Sequence, residues 1–272
     1  MSAHWIYRHL PLINSPASLL VGLFAFLLST VGFCGGLAVH FLGVDITRMA
    51  YISFWVFDAC LLGMFVTPWL PLECLKHHDR YQRLQFMVEI WVWLYVLIAL
   101  TYEIPWVLGY PRIAYAEDEL WAYPWWSYIH GGDIRYLHVD LHVLFAEVWA
   151  CTNAALASIA LWRWYRSART STHAVYLLMF CAGMHIAPTV QYYSLEIYHG
   201  FPNVDTGNPH NFWGKFIFSN CSWLIMPFVV FFWGTRALPR LYRASMEREH
   251  AGRPAPLPGH ASPAGIAAHN ER

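Results

Sequence analysis

Six predominantly apolar stretches, each longer than twenty residues, constrain the fold more than any other feature of the sequence. Each stretch is long enough to cross a hydrocarbon core about 30 Å thick. Inside lipid, such a segment can satisfy its own backbone hydrogen bonds only as a helix. We therefore predict an all-α, polytopic membrane bundle of about six transmembrane helices. The predicted spans are Ser18–Gly43, Tyr51–Leu72, Leu84–Leu108, Val139–Trp164, His173–Leu195 and Phe212–Thr235.

The overall composition supports a membrane protein and excludes two other classes. Hydrophobic residues make up 57% of the chain and charged residues only 12%, whereas soluble domains carry about 25% charged residues. Seventeen basic residues balance seventeen acidic residues. The chain therefore has no net field that would attract nucleic acid, and we expect the lipid bilayer as its surroundings and no nucleic-acid partner.

No residue pattern in the sequence indicates a cofactor or a metal site. The six cysteines are spread singly, without the paired spacing of a zinc site. His138 and His142 would share one face of a helix, but Asp140 would point about 200° away from His138. Glycine-rich dinucleotide motifs and phosphate-binding loops are absent from the sequence. We expect neither a cofactor nor a metal.

Basic residues predict the orientation of the helices, because they accumulate near helix ends on the cytoplasmic side. They follow the second, fourth and sixth stretches, at Lys76, Arg80, Arg83, Arg163, Arg166, Arg169, Arg236, Arg240, Arg243 and Arg248. We therefore predict that both termini are cytoplasmic, in either the endoplasmic reticulum or a bacterial inner membrane. Residues 244–272 are rich in Pro, Gly, Ala and His and are predicted to form a disordered cytoplasmic tail.

Three acids in the predicted spans indicate a functional cavity. Asp140 and Glu147 are seven residues apart, which places them on one face of a helix, two turns from each other. Glu103 is near the outer end of its own span, just before Pro105, so all three carboxyl groups belong to the same leaflet. Ionisable groups at membrane depth usually face the bundle interior or a wet cavity. The alternative is that each acid only ties helices together by hydrogen bonds.

The sequence also contains an ordered series of short motifs around these acids. The motifs are Gly132-Asp133-x-Arg135-Tyr136, then Asp140 and Glu147, Tyr193-x-x-Glu196, Gly200-Phe201, Gly207-x-Pro209-x-x-Phe212-Trp213 and Asn220-x-x-Trp223-x-x-x-Pro227. Together with the upstream Glu103, Pro105 and Trp106, the series resembles the emopamil-binding protein family of the EXPERA superfamily. The resemblance implies a five-helix membrane domain over residues 51–243. Residues 1–50 would form an additional N-terminal helix with its flanks.

The best-known members of that family are sterol delta8-delta7 isomerases, which move a double bond through a carbocation without a cofactor. By this resemblance, Glu103 and Glu147 would be the two catalytic acids. Substrate would be bound by Trp223, whose indole would face the cation, and by Asn220, Asp140, Tyr193 and Trp106. Structural roles would fall to Asp133, Arg135 and Pro227. The expected small-molecule partner is a sterol or isoprenoid.

One departure from the family pattern keeps other functions open. The family has a histidine four residues before its first catalytic acid, and this chain has Ala99 there. Three interpretations remain, namely a double-bond isomerase, a non-catalytic protein that binds sterols or amines, and a cation-initiated terpene cyclase. A transporter is disfavoured because the sequence shows no internal repeat, and a homodimer is left open.

Overall fold

The computed structural model describes residues 15–130, 132–138 and 140–252, and these residues are almost entirely helical. The helices are α1 (Pro16–Leu42), α2 (Ile46–Val66), α3 (Arg80–Ile98), α4 (Ile104–Ile113), α5 (Tyr123–Ile129), α6 (Leu141–Arg166), α7 (Thr172–His199) and α8 (Ser219–Gly252). Two π-helical turns, Ala99–Glu103 and His210–Phe218, join α3 to α4 and precede α8. Within the described ranges, the only β-type pairing is an isolated bridge between Asp133 and Val204. The all-α prediction is confirmed.

Six helical spans are long and apolar enough to cross a membrane, which confirms the predicted number. They are Pro16–Leu42, Ile46–Trp69, Arg80–Ile113, Leu141–Arg166, Thr172–His199 and His210–Glu247. The starts of the first five spans are set by capping side chains rather than by the apolar boundary. Asp45 accepts a hydrogen bond from Arg48 N at 2.8 Å, so α2 begins at Ile46, five residues before the expected start.

The main core lies where α3, α6, α7 and α8 meet. Four alanines at spacings of three and four residues line one face of α6 and are all buried: Ala150, Ala154, Ala157 and Ala160. Small side chains on such a face let neighbouring membrane helices approach closely. At the basic end of this core, Trp164 and Trp233 are almost fully buried and pack edge to face, with ring centroids 5.5 Å apart.

The N-terminal helix α1 packs against α2 and against the short helix α5. Its glycines allow this close approach, because a Cβ on Gly35 would lie 2.6 Å from the Tyr123 ring and 2.8 Å from Ser53 Oγ. The helix predicted to be additional to the family core is therefore joined to the half of the bundle that contains α5.

The last helix continues beyond the predicted end of the membrane domain at residue 243. Helix α8 reaches Gly252 and contains Pro227 and Pro239. Proline removes one backbone hydrogen bond within a helix, and Pro227 follows Trp223 by one turn. The rest of the predicted tail, residues 253–272, lies outside the described residues.

Candidate active site

A cavity of about 490 Å³ lies in the half of the bundle that contains α4 and α5. Every membrane span contributes to its wall, and the segment around α5 covers the end away from the basic connections. Its lining includes Leu28, Gly32, Ser53, Phe57, Tyr102, Glu103, Pro105, Trp125, Tyr128, Tyr136, Glu147, Ala150, His185, Pro188, Thr189, Tyr192, Ser219, Asn220 and Trp223. The volume is in the range typical of small-molecule pockets, about 300–1,000 Å³.

Glu103 reaches the cavity from the π-helical turn in the third span. Ile104 N donates to Ala99 O, five residues back, which defines the wide turn. Pro105 has no N–H to give to Thr101 O, so regular α-helix is interrupted at this position. The Oε2 atom of Glu103 is buried and has no hydrogen-bond partner among the described residues. Single π turns often occur at functional sites, and this one aims a carboxyl group into the cavity.

Glu147 reaches the same cavity from α6 and is only 8% exposed. Its Oε1 atom accepts a short hydrogen bond from the Tyr136 hydroxyl. Its Oε2 atom is buried without a partner among the described residues. The structure therefore brings together the two acids that the resemblance marks as catalytic.

Neither acid has a cation beside it in the part of the chain that the structure describes. The buried cations on this side of the bundle have other partners. Lys215 donates to the backbone oxygen of His130, and Arg135 pairs with Asp133 and Glu196. The cavity thus holds two carboxyl groups in largely apolar surroundings without a compensating charge.

Aromatic and amide groups form another part of the cavity wall. Trp223 packs against Tyr95 and His185, with ring centroids 5.9 and 5.6 Å away. Asn220 donates from Nδ2 to the Tyr128 hydroxyl at 3.2 Å and to Phe216 O at 3.0 Å. Its amide therefore holds a phenol at the cavity wall and satisfies a carbonyl of the π-helical turn. Both predicted residues, Trp223 and Asn220, line the cavity.

Three residues expected to bind substrate lie outside the cavity lining. Asp140 precedes the first turn of α6 and caps it, accepting from His142 N at 2.7 Å, so it does not share the helical face of Glu147. Tyr193 donates to Phe216 O at 3.2 Å. Trp106 is fully buried behind the cavity wall, where its ring packs edge to face against Tyr136 at 5.1 Å.

The residues expected to be structural form a buried ion cluster beside the cavity. Arg135 donates to Asp133 through Nε at 2.9 Å and through Nη2 at 2.6 Å, and its Nη1 lies 3.3 Å from Glu196. Burial alone would lower the pKa of Arg135, but the hydrogen bonds and charge of Asp133 raise it above its usual range. This arginine stays charged. Through Glu196 it holds the segment between α5 and α6, which includes Tyr136, against α7.

The site residues expected from the sequence did not include two parts of the cavity. One is His185, a histidine at membrane depth to which no site role was assigned. The other is the wall formed by α1, since no motif marks Leu28 or Gly32. No group of three or more His, Cys, Asp or Glu side chains within residues 15–130, 132–138 and 140–252 is arranged to hold a metal ion.

The fold and the cavity define an integral membrane helical bundle in which two carboxyl groups without a nearby counter-charge lie among aromatic rings. The chain is similar to curated proteins named 3-beta-hydroxysteroid-Delta(8),Delta(7)-isomerase. It is 29% identical to the Mus musculus protein over 114 residues, 42% of this chain and 49% of the relative. It is 27% identical to the Cavia porcellus protein over 128 residues, 47% and 54% of the two chains. The chain thus spans about half the length of these relatives, and no protein-family model matches it.

Proposed function

We propose that the protein is a membrane-embedded isomerase that moves a carbon–carbon double bond in a sterol-like or isoprenoid lipid. The observation that carries the proposal is the pair Glu103 and Glu147, which line one cavity with no cation beside them among the described residues. The resemblance to the emopamil-binding family and the name of the relatives support the same reaction.

The surroundings of the two acids suggest different roles. Tyr136 donates a hydrogen bond to Glu147, and a donor of this kind stabilises the charged carboxylate. The Oε2 atom of Glu103 has no such donor, and an unpaired carboxyl in an apolar cavity keeps its proton at lower cost than it loses it. We therefore assign Glu103 as the acid and Glu147 as the base.

The reaction then proceeds in two balanced steps. Glu103 gives its proton to one alkene carbon, a C–H bond forms, and the π electrons leave a positive charge on the neighbouring carbon. Glu147 removes a proton from the carbon on the far side of the cation, and that C–H electron pair becomes the new double bond. Between turnovers Glu147 releases its proton to water and Glu103 takes one up from water, which restores the starting state, and no oxidant or cofactor is consumed.

Trp223 stabilises the intermediate in this scheme. Its indole lines the same cavity as both acids, and the negative face of an aromatic ring attracts a cation by about 2 kcal/mol or more when water is excluded. Trp223→Leu should therefore reduce turnover more than it reduces lipid binding.

Deuterium incorporation tests the proposal directly. The purified protein, in vesicles prepared in D₂O, is incubated with a delta8 sterol, and the lipid is analysed by mass spectrometry. We expect an isomer of the substrate that has gained one deuterium per turnover. Glu103→Gln and Glu147→Gln should each lower the rate by about 100-fold or more, whereas Glu89→Gln, outside the cavity lining, should retain the rate per folded molecule. Folded wild-type protein that binds the sterol without deuterium uptake would contradict the proposal.

The second candidate is a non-catalytic protein that binds sterols or amines. Its support is Ala99, which is buried in the main core at the position where the family has its histidine. In that case the carboxyl pair would bind a ligand amine, and both Gln variants would lose amine binding. A cyclase would also take up deuterium, but its product would have fewer double bonds than the substrate.

A further inference from the structure

His185 is a buried cavity residue that the proposed proton transfers do not use. Its side chain is 5% exposed, and both ring nitrogens, Nδ1 and Nε2, lack a hydrogen-bond partner among the described residues. A neutral imidazole has one N–H donor and one nitrogen acceptor. Burying both ring nitrogens without hydrogen-bond partners costs free energy of folding.

The neighbours of His185 do not supply the missing partners. Its ring lies among Tyr95, Trp223 and Trp91, with centroids 4.8, 5.6 and 5.9 Å away. The hydroxyl of Tyr95 already donates to Ala150 O at 2.6 Å. The imidazole is therefore enclosed by rings on the protein side, while it also lines the cavity.

The backbone around His185 is fixed by its own hydrogen bonds. Pro188 has no N–H, so Met184 O loses its partner within α7. Trp149 Nε1 from α6 donates to that oxygen at 2.9 Å. One turn away, Asn153 Nδ2 donates to Cys181 O at 2.9 Å. These contacts hold α7 against α6 at this level, and the position of the imidazole follows from them.

We propose that His185 binds the hydroxyl group of the substrate through the ring nitrogen that faces the cavity, which donates to the hydroxyl oxygen or accepts from its O–H according to the tautomer. An alcohol complements either tautomer of a neutral imidazole, because it carries one donor and an acceptor oxygen. A hydrocarbon has neither, and an ether or ester has only acceptors. The inference rests on the proposed function and assigns His185 as the residue that distinguishes a lipid with a free alcohol from one without it.

The position of His185 suits this role. The pairings of Trp149 with Met184 and of Asn153 with Cys181 place the backbone of His185 near the level of Glu147. Its ring packs against Tyr95, which lies about two helical turns from Glu103 toward the basic end of the bundle. In a 3-hydroxysterol the alcohol lies on the first ring, and the delta8 or delta7 bond involves the second. A molecule held by its hydroxyl at His185 would thus present the adjoining ring to the acids.

Binding measurements on the full-length protein test the assignment without relying on turnover. The probes are 5α-cholest-8-en-3β-ol, its 3-deoxy analogue and its 3-methyl ether, and the readout is Kd in detergent. All proteins carry Glu103→Gln, so that no probe reacts during the measurement. We expect His185 to favour the alcohol over the deoxy analogue by about ten-fold or more, with the ether in between.

His185→Leu should bind the alcohol and the deoxy analogue within about two-fold of each other. His185→Gln, whose amide keeps a donor and an acceptor, should recover part of the preference and serves as the test if the leucine variant does not fold. An unchanged preference for the alcohol in either foldable variant would overturn the assignment, and so would equal binding of the three probes by the histidine protein. If binding follows the expected pattern while no deuterium enters the sterol, the isomerase proposal fails and the hydroxyl site stands.

Discussion

Two glutamates on the third span show how the surroundings of a carboxyl group separate a structural role from a chemical one. Glu89 accepts hydrogen bonds from Trp164 Nε1 at 2.9 Å, Tyr165 Oη at 3.0 Å and Arg169 Nε at 2.9 Å. Burial alone would lower the pKa of Arg169, but its contacts with Glu89 raise it above its usual range. Glu103 has an unpaired Oε2 in the cavity. The first group is fully engaged, whereas the second is free to meet a ligand.

Neutralising these two acids should therefore change the free energy of unfolding by different amounts. Glu89→Gln leaves Arg169 without its counter-charge, and we expect the free energy of unfolding to fall by about 2–3 kcal/mol. Glu103→Gln breaks no such contact and should change it by less than about 1 kcal/mol. The midpoint of SDS-induced unfolding, monitored by circular dichroism, measures both effects. Equal loss in the two variants would show that Glu103 is also structural.

The buried cluster of Asp133, Arg135 and Glu196 offers a second prediction. Asp133→Asn leaves the guanidinium, which is 4% exposed, with a single carboxylate. Removing one partner of a buried ion pair costs about 3–5 kcal/mol, and we expect a loss of that order in the same unfolding assay. The matched control is Lys76→Met, because the Glu73–Lys76 pair is solvent-exposed and such pairs contribute about 0–1 kcal/mol. Similar losses in both variants would contradict the structural role of the cluster.

At the level of elements, the π-helical turn before α4 determines where Glu103 points. Pro105→Ala would supply the missing N–H and allow regular α-helix, which could rotate Glu103 by as much as about 100°. We expect the isomerisation rate to fall by about 10–100-fold, since small misplacements of a reacting group are costly, while stability does not decrease. Pro111→Ala is the matched control, because this proline lies in α4 but not on the cavity wall. An isomerisation rate unchanged by Pro105→Ala would show that the reaction does not depend on the π-helical turn.

Hydrophobic length was sufficient to predict the six spans, but neither their capped starts nor these local irregularities. The hydropathy of a long apolar stretch is the same whether its backbone is α-helical or π-helical. The π-helical turns at Ala99–Glu103 and His210–Phe218 therefore could not be recognised from it. The seven-residue spacing of Asp140 and Glu147 assumed one regular helix. Because Asp140 is a capping residue outside that helix, the shared face was wrong, although Glu147 itself lies in the cavity.

At the scale of the whole molecule, α1 forms one wall of the cavity. Its close packing against α2 and α5 depends on small residues. Gly35→Ala would place a Cβ 2.6 Å from the Tyr123 ring, so α1 or α5 must move. We expect the free energy of unfolding to fall by about 1–3 kcal/mol and sterol binding to weaken. Gly22→Ala, with nothing within 4 Å of the new Cβ, should leave stability unchanged or improve it by up to about 1 kcal/mol. If both variants bind sterol like the wild type, α1 is not a required wall.

The distribution of basic residues makes a prediction about how the whole bundle sits in the membrane. The connection between α2 and α3 contains Lys76 and native Cys74, whereas the opposite end of the bundle presents the exposed Asp118. With both termini cytoplasmic, an odd number of spans separates these two sites, so they face opposite compartments. Two single-cysteine proteins, one retaining Cys74 and one carrying Asp118→Cys, report this with a membrane-impermeant maleimide on bacterial cells whose outer membrane is permeable to the reagent.

We expect the cysteine at position 118 to react while the inner membrane is intact, and Cys74 to react only after that membrane is opened. A protein that retains only the buried Cys60 is the control, and it should stay unlabelled in both conditions. The reverse pattern would place the termini and the basic connections on the outer side. The cavity that contains Glu103 and Glu147 would then lie toward the cytoplasmic side, because both residues are at the same end of the bundle as position 118.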